Sequence, residues 1–315
     1  MCGRRWIEMV LAALVVAGCA STASTQPTQV AIDVVVATIP IGGQPLAVVL
    51  GPDGVPWVVA GSGGAITRVD PLTNAPGEPL RVPTGVAAAS GAGSLWIGSG
   101  GGLLSRVDPD ERSIIASIPT GSQANAVRVA FGSVWTTDYQ ANTLLRIDPS
   151  TNAVIARIGA GSLPSAIVDG ADALWVLSAG DGSIARVEPG SNRVIGTIAP
   201  EDGRTDLAFL GQSLYVVGAP FTDTRGFIER IDPSSLQVTA RETLADGAYH
   251  VAAGTDALWV SLSPGKTVAK VDPVSLLTMV SVPVTGEPQG LVFAGSTVWV
   301  AVYQPDGLVR VATGQ

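Results

Sequence analysis

A tryptophan recurs along this chain at a nearly constant interval, and this repeat limits the possible folds more than any other feature. The series is Trp57, Trp96, Trp135, Trp175, Trp259 and Trp299, with Tyr215 in its one gap. Five of the six spacings are 39 or 40 residues and one is 44. Such a period is typical of solenoids, helical arrays and propellers. The chain is therefore expected to consist of seven similar units.

Each unit carries a second marker, Arg-Val-Asp-Pro or a close variant, about ten residues after its aromatic residue. The copies lie at 68–71, 106–109, 146–149, 186–189, 230–233 and 270–273, with a truncated version at 310–311. A single active site has no use for seven copies of one residue. We therefore interpret the marker as scaffold, with its aspartate accepting backbone N–H groups in a turn. The repeated aromatic rings are interpreted as packing anchors between units.

The content of one unit decides between the repeat classes. Residues 163–199 hold four short apolar runs, at 165–168, 173–177, 183–187 and 193–198. Turn sequences separate these runs, and Val, Ile, Leu and Trp dominate them, as in β-strands. No stretch shows ten residues of helical spacing, which excludes the helical repeats. Four strands in about 40 residues are typical of a propeller blade, so we predict an all-β, seven-bladed β-propeller.

The two ends of the repeat region complement each other. The last unit stops at Val311, after its third strand, and therefore lacks an outer strand. Residues 33–41 (DVVVATIPI) have the pattern of an outer strand but no unit of their own. Pairing the two would close the ring and remove two exposed sheet edges. We therefore predict a single propeller domain over residues 31–315, closed by its N-terminal strand.

The beginning of the chain has the pattern of a secretory signal. Arg4 and Arg5 precede an apolar stretch at 9–17 that is too short to span a bilayer. This predicts a signal peptide over residues 1–18, followed by a flexible polar tether at 19–30. Cys2 would leave with the signal, so the mature chain would keep Cys19 alone and form no internal disulfide.

The sequence Val16-Ala17-Gly18-Cys19 resembles the bacterial lipobox. The resemblance implies that Cys19 carries a diacylglyceryl group and anchors an exported protein to the bacterial cell membrane or envelope. Two or more acyl chains give a stable anchor. An ordinary cleaved signal peptide is the alternative, because both kinds of signal share a small-residue cleavage site.

The amino-acid composition limits the kinds of partner and metal ion that the chain could bind. The formal charge is −8, which argues against nucleic acid, since binding to phosphates needs clustered Lys and Arg. His250 is the only histidine, which excludes a metal site built from several histidines. We predict no cofactor, a monomer, and no membrane contact other than the lipid anchor.

Candidate site residues are those that depart from the repeat, in loops otherwise made of Gly, Ser and Ala. The loops leading into the first strand of each unit carry Asn125, Arg204, Asp206, Tyr249, His250 and Gln289. The loops between second and third strands carry Asp138, Tyr139 and Tyr303, and the fifth unit has an insertion around 221–225. His250 is the sharpest candidate, because histidine exchanges protons near neutral pH, and Asp206 holds nearly the same place one unit earlier. A packed surface histidine with no role is the alternative.

The unit LWVxSxxxGxIxRVDPxTNxVxxxIPxG resembles the YVTN-type and streptogramin (virginiamycin B) lyase-like seven-bladed propellers, relatives of the NHL repeats. The resemblance implies a carbon–oxygen lyase that opens a cyclic depsipeptide by elimination, with histidines and Mg²⁺-binding glutamates on adjacent blades. His250 matches one histidine, but the next unit has Gln289, and no carboxylate stands in the strands after Trp259 and Trp299. Mg²⁺ is therefore expected only if the chain is such a lyase.

Three functional classes remain open at this stage. The first is a binding module that holds a small molecule, peptide or glycan at the mouth of the central channel. The second is a lyase-like or lactonase-like enzyme that uses His250 with Asp206 or Asp138. The third is a scaffold for proteins of the cell envelope, because one fold of this kind hosts many activities.

Overall fold

The structure, a computed structural model, describes residues 33–220 and 224–314. The predicted signal peptide, Cys19, the tether and residues 221–223 of the insertion lie outside the described residues. All described residues belong to one compact unit. No helix in this part of the chain is long and apolar enough to cross a bilayer.

Seven four-stranded antiparallel sheets make up the described residues, and each is a blade. Blade 1 contains β2 (Pro45–Leu50), β3 (Pro56–Ala60), β4 (Ala65–Arg68) and β5 (Leu80–Arg81); blade 2 contains β6 (Gly85–Gly91), β7 (Ser94–Ser99), β8 (Leu103–Asp108) and β9 (Ser113–Pro119); blade 3 contains β10 (Val127–Ala130), β11 (Ser133–Asp138), β12 (Thr143–Asp148) and β13 (Ala153–Gly159); blade 4 contains β14 (Pro164–Gly170), β15 (Ala173–Ser178), β16 (Ile184–Glu188) and β17 (Arg193–Ile198). Blade 5 contains β18 (Arg204–Leu210), β19 (Ser213–Gly218), β20 (Phe227–Asp232) and β21 (Gln237–Thr243); blade 6 contains β22 (Ala248–Ala253), β23 (Leu258–Leu262), β24 (Thr267–Val271) and β25 (Thr278–Pro283); blade 7 contains β26 (Glu287–Ala294), β27 (Thr297–Tyr303) and β28 (Gly307–Ala312), and β1 (Val34–Pro40) completes it.

The ring closes as the sequence predicts. β1 pairs antiparallel with β28 and places Ile39 opposite Leu308. The first strands of neighbouring blades contact each other all the way around the ring. The prediction of an all-β, seven-bladed propeller closed by its N-terminal strand is confirmed. We call the face at which the first strands begin the upper face, and the opposite face the lower face; β1 begins at the lower face.

The repeated aromatic residues are buried between blades. The indole N–H groups of Trp96, Trp135 and Trp175 each donate to the carbonyl of the residue five positions earlier, at 3.0 to 3.1 Å. Tyr215 donates its hydroxyl to the Pro273 carbonyl of the next blade at 3.0 Å, and burial raises the pKa of its phenol. The interpretation of these rings as packing anchors is confirmed.

The aspartates of the Arg-Val-Asp-Pro marker form the predicted turns. Asp148 Oδ1 accepts the Ser150 N–H at 2.8 Å, and Asp232 Oδ1 accepts the Ser234 N–H at 2.7 Å. Hydrogen bonds from the Ser150 hydroxyl and N–H hold the pKa of Asp148 below its ordinary value. Asn152, which ends its turn with φ near 59°, has the residue type that tolerates this left-handed conformation best after glycine.

The arginine of the marker links neighbouring blades, which the sequence analysis did not foresee. Arg146 lies 5.0 Å over the Trp135 ring, and its Nη1 donates to the Pro189 carbonyl at 2.7 Å and to Asn192 Oδ1 at 3.0 Å. Both acceptors belong to the turn of the next blade. The same kind of link is made by Arg106, Arg186, Arg230 and Arg310. Each of these arginines therefore links its own blade to the turn of the next blade.

Candidate functional site

A cavity of about 600 Å³ lies at the upper face, over the central channel. All seven first strands, or the loops that lead into them, contribute to its wall. Aliphatic side chains form part of this wall, at Leu46, Val86, Val127, Ile167 and Leu291. The cavity is open to solvent on one side, and its wall combines these apolar side chains with polar residues, so its volume could hold a small molecule.

One wall position is equivalent in every blade and shows where the polar groups stand. It lies nine residues before the blade's aromatic residue, or ten in blade 1. We call it the seam position, and its occupants are Ala47, Ala87, Ala126, Ala166, Asp206, His250 and Gly290. A Cβ added at Gly290 would lie only 2.8 Å from the Leu46 carbonyl oxygen, so a small residue lets adjacent first strands approach. Asp206 and His250 are the two exceptions, and they stand in adjacent blades.

Asp206 and His250 contact each other across the junction between blades 5 and 6. His250 Nδ1 lies 3.2 Å from Asp206 Oδ2, and the Val251 N–H donates to the same oxygen at 3.1 Å. The Leu207 N–H donates to Asp206 Oδ1 at 2.8 Å. A carboxylate accepts hydrogen bonds, so the contact places a proton on Nδ1. The Asp206 side chain is thus held by three hydrogen bonds, in a fixed position beside the imidazole.

The other ring nitrogen of His250 has no hydrogen-bond partner among residues 33–220 and 224–314. The His250 side chain is 34% exposed, and Tyr249 packs edge-on against its ring with centroids 5.0 Å apart. With Nδ1 protonated, Nε2 presents a lone pair. The pair therefore offers a fixed acceptor to a molecule in the cavity.

The nine predicted ligand-binding residues divide into two groups. The six in the loops leading into first strands line the cavity: Asn125, Arg204, Asp206, Tyr249, His250 and Gln289. Gln289 lies near Ser263, with Nε2 3.4 Å from its hydroxyl. Asn125 lies across the ring from the pair, in the loop before blade 3.

Arg204 lines the cavity with its backbone while its guanidinium is buried. Its Nε and Nη2 each lie 2.9 Å from Glu229 Oε2, and both side chains are only 2% exposed. Its Nη1 donates to the carbonyls of Gly182 and Ala199 at 2.8 and 2.9 Å. Arg241 pairs with the other oxygen of Glu229 at 2.9 Å. The Arg204 charge therefore stabilises blade 5, and its donors are already used.

The three residues from the loops between second and third strands lie outside the cavity wall. Asp138 is buried and accepts the Ser122 N–H at 3.0 Å and its hydroxyl. The Tyr303 hydroxyl accepts the side-chain amides of Gln304 at 2.8 Å and Gln44 at 3.3 Å. Tyr139 donates its backbone N–H to the Gln123 carbonyl. A place in a loop between second and third strands does not by itself keep a residue from the mouth, because Asp181, in the loop between β15 and β16, lines the cavity.

Four polar wall residues are not among the nine predicted ligand-binding residues: Ser165, Asp181, Asp202 and Thr205. The Thr205 hydroxyl lies 3.1 Å from the carbonyls of Val217 and Ala248. Asp181 accepts the Ser183 N–H at 3.0 Å. The signal that could have found them is proximity to the seam position, because Ser165 and Thr205 directly precede it. Together with Asp206, the two added aspartates make the wall acidic, since Glu229 neutralises Arg204.

The donor set does not fit a magnesium centre. Among the described residues no group of three or more His, Cys, Asp or Glu side chains converges where a metal ion could be held. Mg²⁺ is bound through carboxylates in near-octahedral geometry. The metal site that the lyase resemblance implies therefore has no counterpart at this mouth.

Solved structures share this fold. A hydrazine synthase structure from Kuenenia stuttgartiensis aligns with a TM-score of 0.76 at 16% identity, over 86% of this chain and 96% of that one. A streptogramin B lyase structure aligns with a TM-score of 0.72 at 14% identity, over 87% of this chain and 96% of that one. No protein-family model and no curated protein matches the sequence. The chain therefore has a streptogramin lyase-like propeller fold, which by itself does not decide an activity.

Proposed function

We propose that this protein is an exported, lipid-anchored propeller that binds a small molecule, peptide or glycan in the cavity at its upper face. The observation that carries the proposal is the Asp206–His250 pair, joined at 3.2 Å inside a cavity of about 600 Å³. In the other five blades the same position holds only Ala or Gly. A polar pair at one junction gives a ring of near-identical blades a single orienting site.

The residues of the cavity wall limit the chemical classes of ligand that could bind there. Nε2 of His250 accepts a hydrogen bond, so the ligand should present an N–H or O–H group there. Asp181 and Asp202 add negative charge to the wall, which favours neutral or cationic ligands over anions. The aliphatic residues opposite would cover an apolar portion of the ligand. A neutral or cationic amphiphile fits these features better than a polyanion.

The test is a thermal-shift screen of the protein against metabolites, peptides, glycans and cyclic depsipeptides. We expect a hit to raise the Tm of the wild-type protein, and Asp206→Asn and His250→Gln to abolish the shift. Tyr139→Ala is the matched control, because Tyr139 lies on a loop outside the cavity wall. A hit that stabilises all variants equally would contradict the proposed site. If no compound in the library raises the Tm, the result would favour a scaffold for envelope proteins instead.

A second candidate function is a lyase or lactonase, and the same pair supports it. A histidine whose Nδ1 donates to a carboxylate has its Nε2 oriented for proton transfer, the usual arrangement of a general base. Mass spectrometry of any bound cyclic depsipeptide separates the outcomes. Ring opening by elimination leaves the mass unchanged and creates an alkene, whereas lactone hydrolysis adds one water. Turnover that disappears in His250→Gln and persists without Mg²⁺ would make the protein an enzyme, and unchanged ligand would leave it a binding module.

A further inference from the structure

An apolar sector lies at the lower half of three consecutive blades, around the point where the described chain begins. Its six residues are Leu72 of blade 1, Val274, Leu277 and Met279 of blade 6, and Val34 and Val36 of β1 in blade 7. Leu72 is 90% exposed and Val274 is 74% exposed. Exposed apolar groups that cluster in this way mark interaction surfaces.

The blade turns distinguish this sector, because its outer-strand residues alone do not: the outer strands of blades 2 to 5 expose Ile115, Ile155, Ile195 and Val238 much as β1 exposes Val36. Leu72 and Val274 each stand two residues after the aspartate of a blade turn. The equivalent residues of the turns in blades 2 to 5 are Asp110, Ser150, Gly190 and Ser234. Apolar turn tips therefore occur only in the two blades that flank blade 7.

Two links between blades connect the tips to the start of β1. Lys270 of blade 6 lies 3.6 Å from Asp33, the residue before β1. Arg310 of blade 7 donates to the Pro71 carbonyl, next to Leu72, at 2.7 Å. The turn of blade 6, the start of β1 and the turn of blade 1 are thus linked through neighbouring blades.

Charge does not prevent this sector from approaching an apolar phase. Lys270 faces Asp33 as an ion pair. The carboxylates of Asp70 and Asp272 accept backbone N–H groups of their own turns, at 2.7 Å from Leu72 and 2.6 Å from Ser275. The two aspartate side chains are partly exposed and charged, but each has one oxygen bound to the turn backbone, while Leu72 and Val274 extend into solvent beside them.

We infer that the apolar sector docks on the phospholipid bilayer that holds the anchor. The inference rests on the proposed lipid anchor at Cys19. Fourteen residues separate Cys19 from Asp33, and even fully extended they span at most about 50 Å. Among the described residues, the surface around Asp33 is therefore the part closest along the chain to the anchor. Shallow burial of aliphatic groups at the headgroup boundary is typical of interfacial docking. Docked in this way, the propeller turns its cavity away from the membrane.

The experiment uses the full-length lipoprotein, reconstituted in vesicles of phosphatidylethanolamine and phosphatidylglycerol that contain a spin-labelled quencher lipid. Leu72→Cys and Val274→Cys each provide one labelling site for an environment-sensitive dye, because acylation blocks Cys19. Ser150→Cys and Ser234→Cys are the matched controls, at the same turn position in blades 3 and 5. We expect blue-shifted, strongly quenched emission at positions 72 and 274, and solvent-like emission at the controls.

Two further readouts separate the possible failures. Mass spectrometry of the N-terminal peptide and flotation with vesicles report on the anchor itself. An acylated, floating protein with solvent-like emission at positions 72 and 274 would overturn the docking surface and leave the anchor intact. Equal quenching at all four positions would also overturn it, because the whole lower face would then lie on the bilayer. A protein that is neither acylated nor floating would remove the anchor, and the docking inference with it.

Discussion

The aspartates of the blade turns are exposed, yet their protonation is coupled to folding. Hydrogen bonds from serine hydroxyl and N–H groups hold the pKa values of Asp148, Asp232 and Asp272 below the ordinary value of 3.8. Backbone N–H bonds from Leu72 and Thr73 do the same for Asp70. A lowered pKa in the folded state contributes stability above the unfolded value, and this contribution is lost as the pH falls through the folded value.

We therefore predict that the melting temperature falls as the pH is lowered from about 5 to about 2, and that Asp148→Asn weakens this dependence. An asparagine keeps the turn but carries no charge to titrate. Scanning calorimetry at several pH values measures the slope, and Asp110→Asn is the control, because Asp110 contributes its backbone N–H, and not its side chain, to the turn around Asp108. Identical slopes for wild type and Asp148→Asn would contradict the prediction.

For single residues, the sequence predicts the backbone turns better than the side-chain contacts between blades. The turn role of the aspartates follows from four local residues, so the pattern was sufficient. The seam position can also be found by counting nine residues back from each aromatic residue. The hydrogen bond between Asp206 and His250 could not be predicted, because it depends on side-chain directions at the junction of two blades. The burial of the Arg204 guanidinium has the same origin, since its partner Glu229 is 25 residues away.

The links between blades act at the scale of the secondary-structure elements. Arg146 lies on β12, and two of the three groups that accept its hydrogen bonds lie in the turn after β16, 43 and 46 residues further along the chain. A local motif cannot reveal a partner at that distance, which is why the sequence indicated a turn and not a link.

We predict that Arg146→Met lowers the free energy of unfolding by about 2 kcal/mol or more, because it removes three charged hydrogen bonds, to Ser133, Pro189 and Asn192, and the cation–π contact. Arg146→Lys should fall between wild type and Arg146→Met, since Lys270 makes only a 3.5 Å contact at the equivalent position. Urea denaturation measures the change. Arg157→Met, at a side chain 54% exposed, is the control and should change stability by less than about 0.5 kcal/mol. An equal loss in the two methionine variants would refute the link.

The strand β1, which closes the ring, is the second feature that acts between secondary-structure elements. Ile39 of β1 is buried against blade 7, whereas Val36 of the same strand is half exposed. We predict that Ile39→Ala costs about 2 to 4 kcal/mol, as expected for a truncated core side chain. Val36→Ala should be nearly neutral in the absence of lipid. Thermal denaturation compares the two, and similar melting temperatures would mean that β1 is not an integral part of the ring.

At the scale of the whole molecule, the repeat determined the architecture because each strand pattern is local and recurs seven times. The site could be predicted only in part, since it is made of departures from the repeat. The six residues predicted in loops leading into first strands line the cavity, although all except Asn125 belong to the first strands themselves. Asp138, Tyr139 and Tyr303 were expected at the same mouth but lie outside its wall. The sequence does not say which loops between second and third strands reach the cavity: the loop of blade 4, with Asp181, lines it, whereas Tyr139 in the loop of blade 3 does not.

The closed ring makes a prediction about the order of the elements along the chain. The Gly314 N–H donates to Asp33 Oδ1 at 2.7 Å, so the end of blade 7 and the start of its outer strand already lie together. Joining them by a short turn would give blade 7 the strand order of the other six blades. The new ends would fall at Gly42, where an added Cβ would meet no atom within 4 Å.

We predict that this circular permutant folds with a melting temperature within a few degrees of the parent. Deletion of residues 33–41 should instead abolish the cooperative transition. The deletion exposes the edge of β28 and removes Ile39 and Ile41 from the core between blades 7 and 1. The permutant keeps every strand pair and changes only the connection between them. Circular dichroism with thermal denaturation distinguishes the two chains. A deletion variant that melts cooperatively would show that six complete blades hold the ring without closure, whereas an unfolded permutant would show that the connection matters and not only the strand.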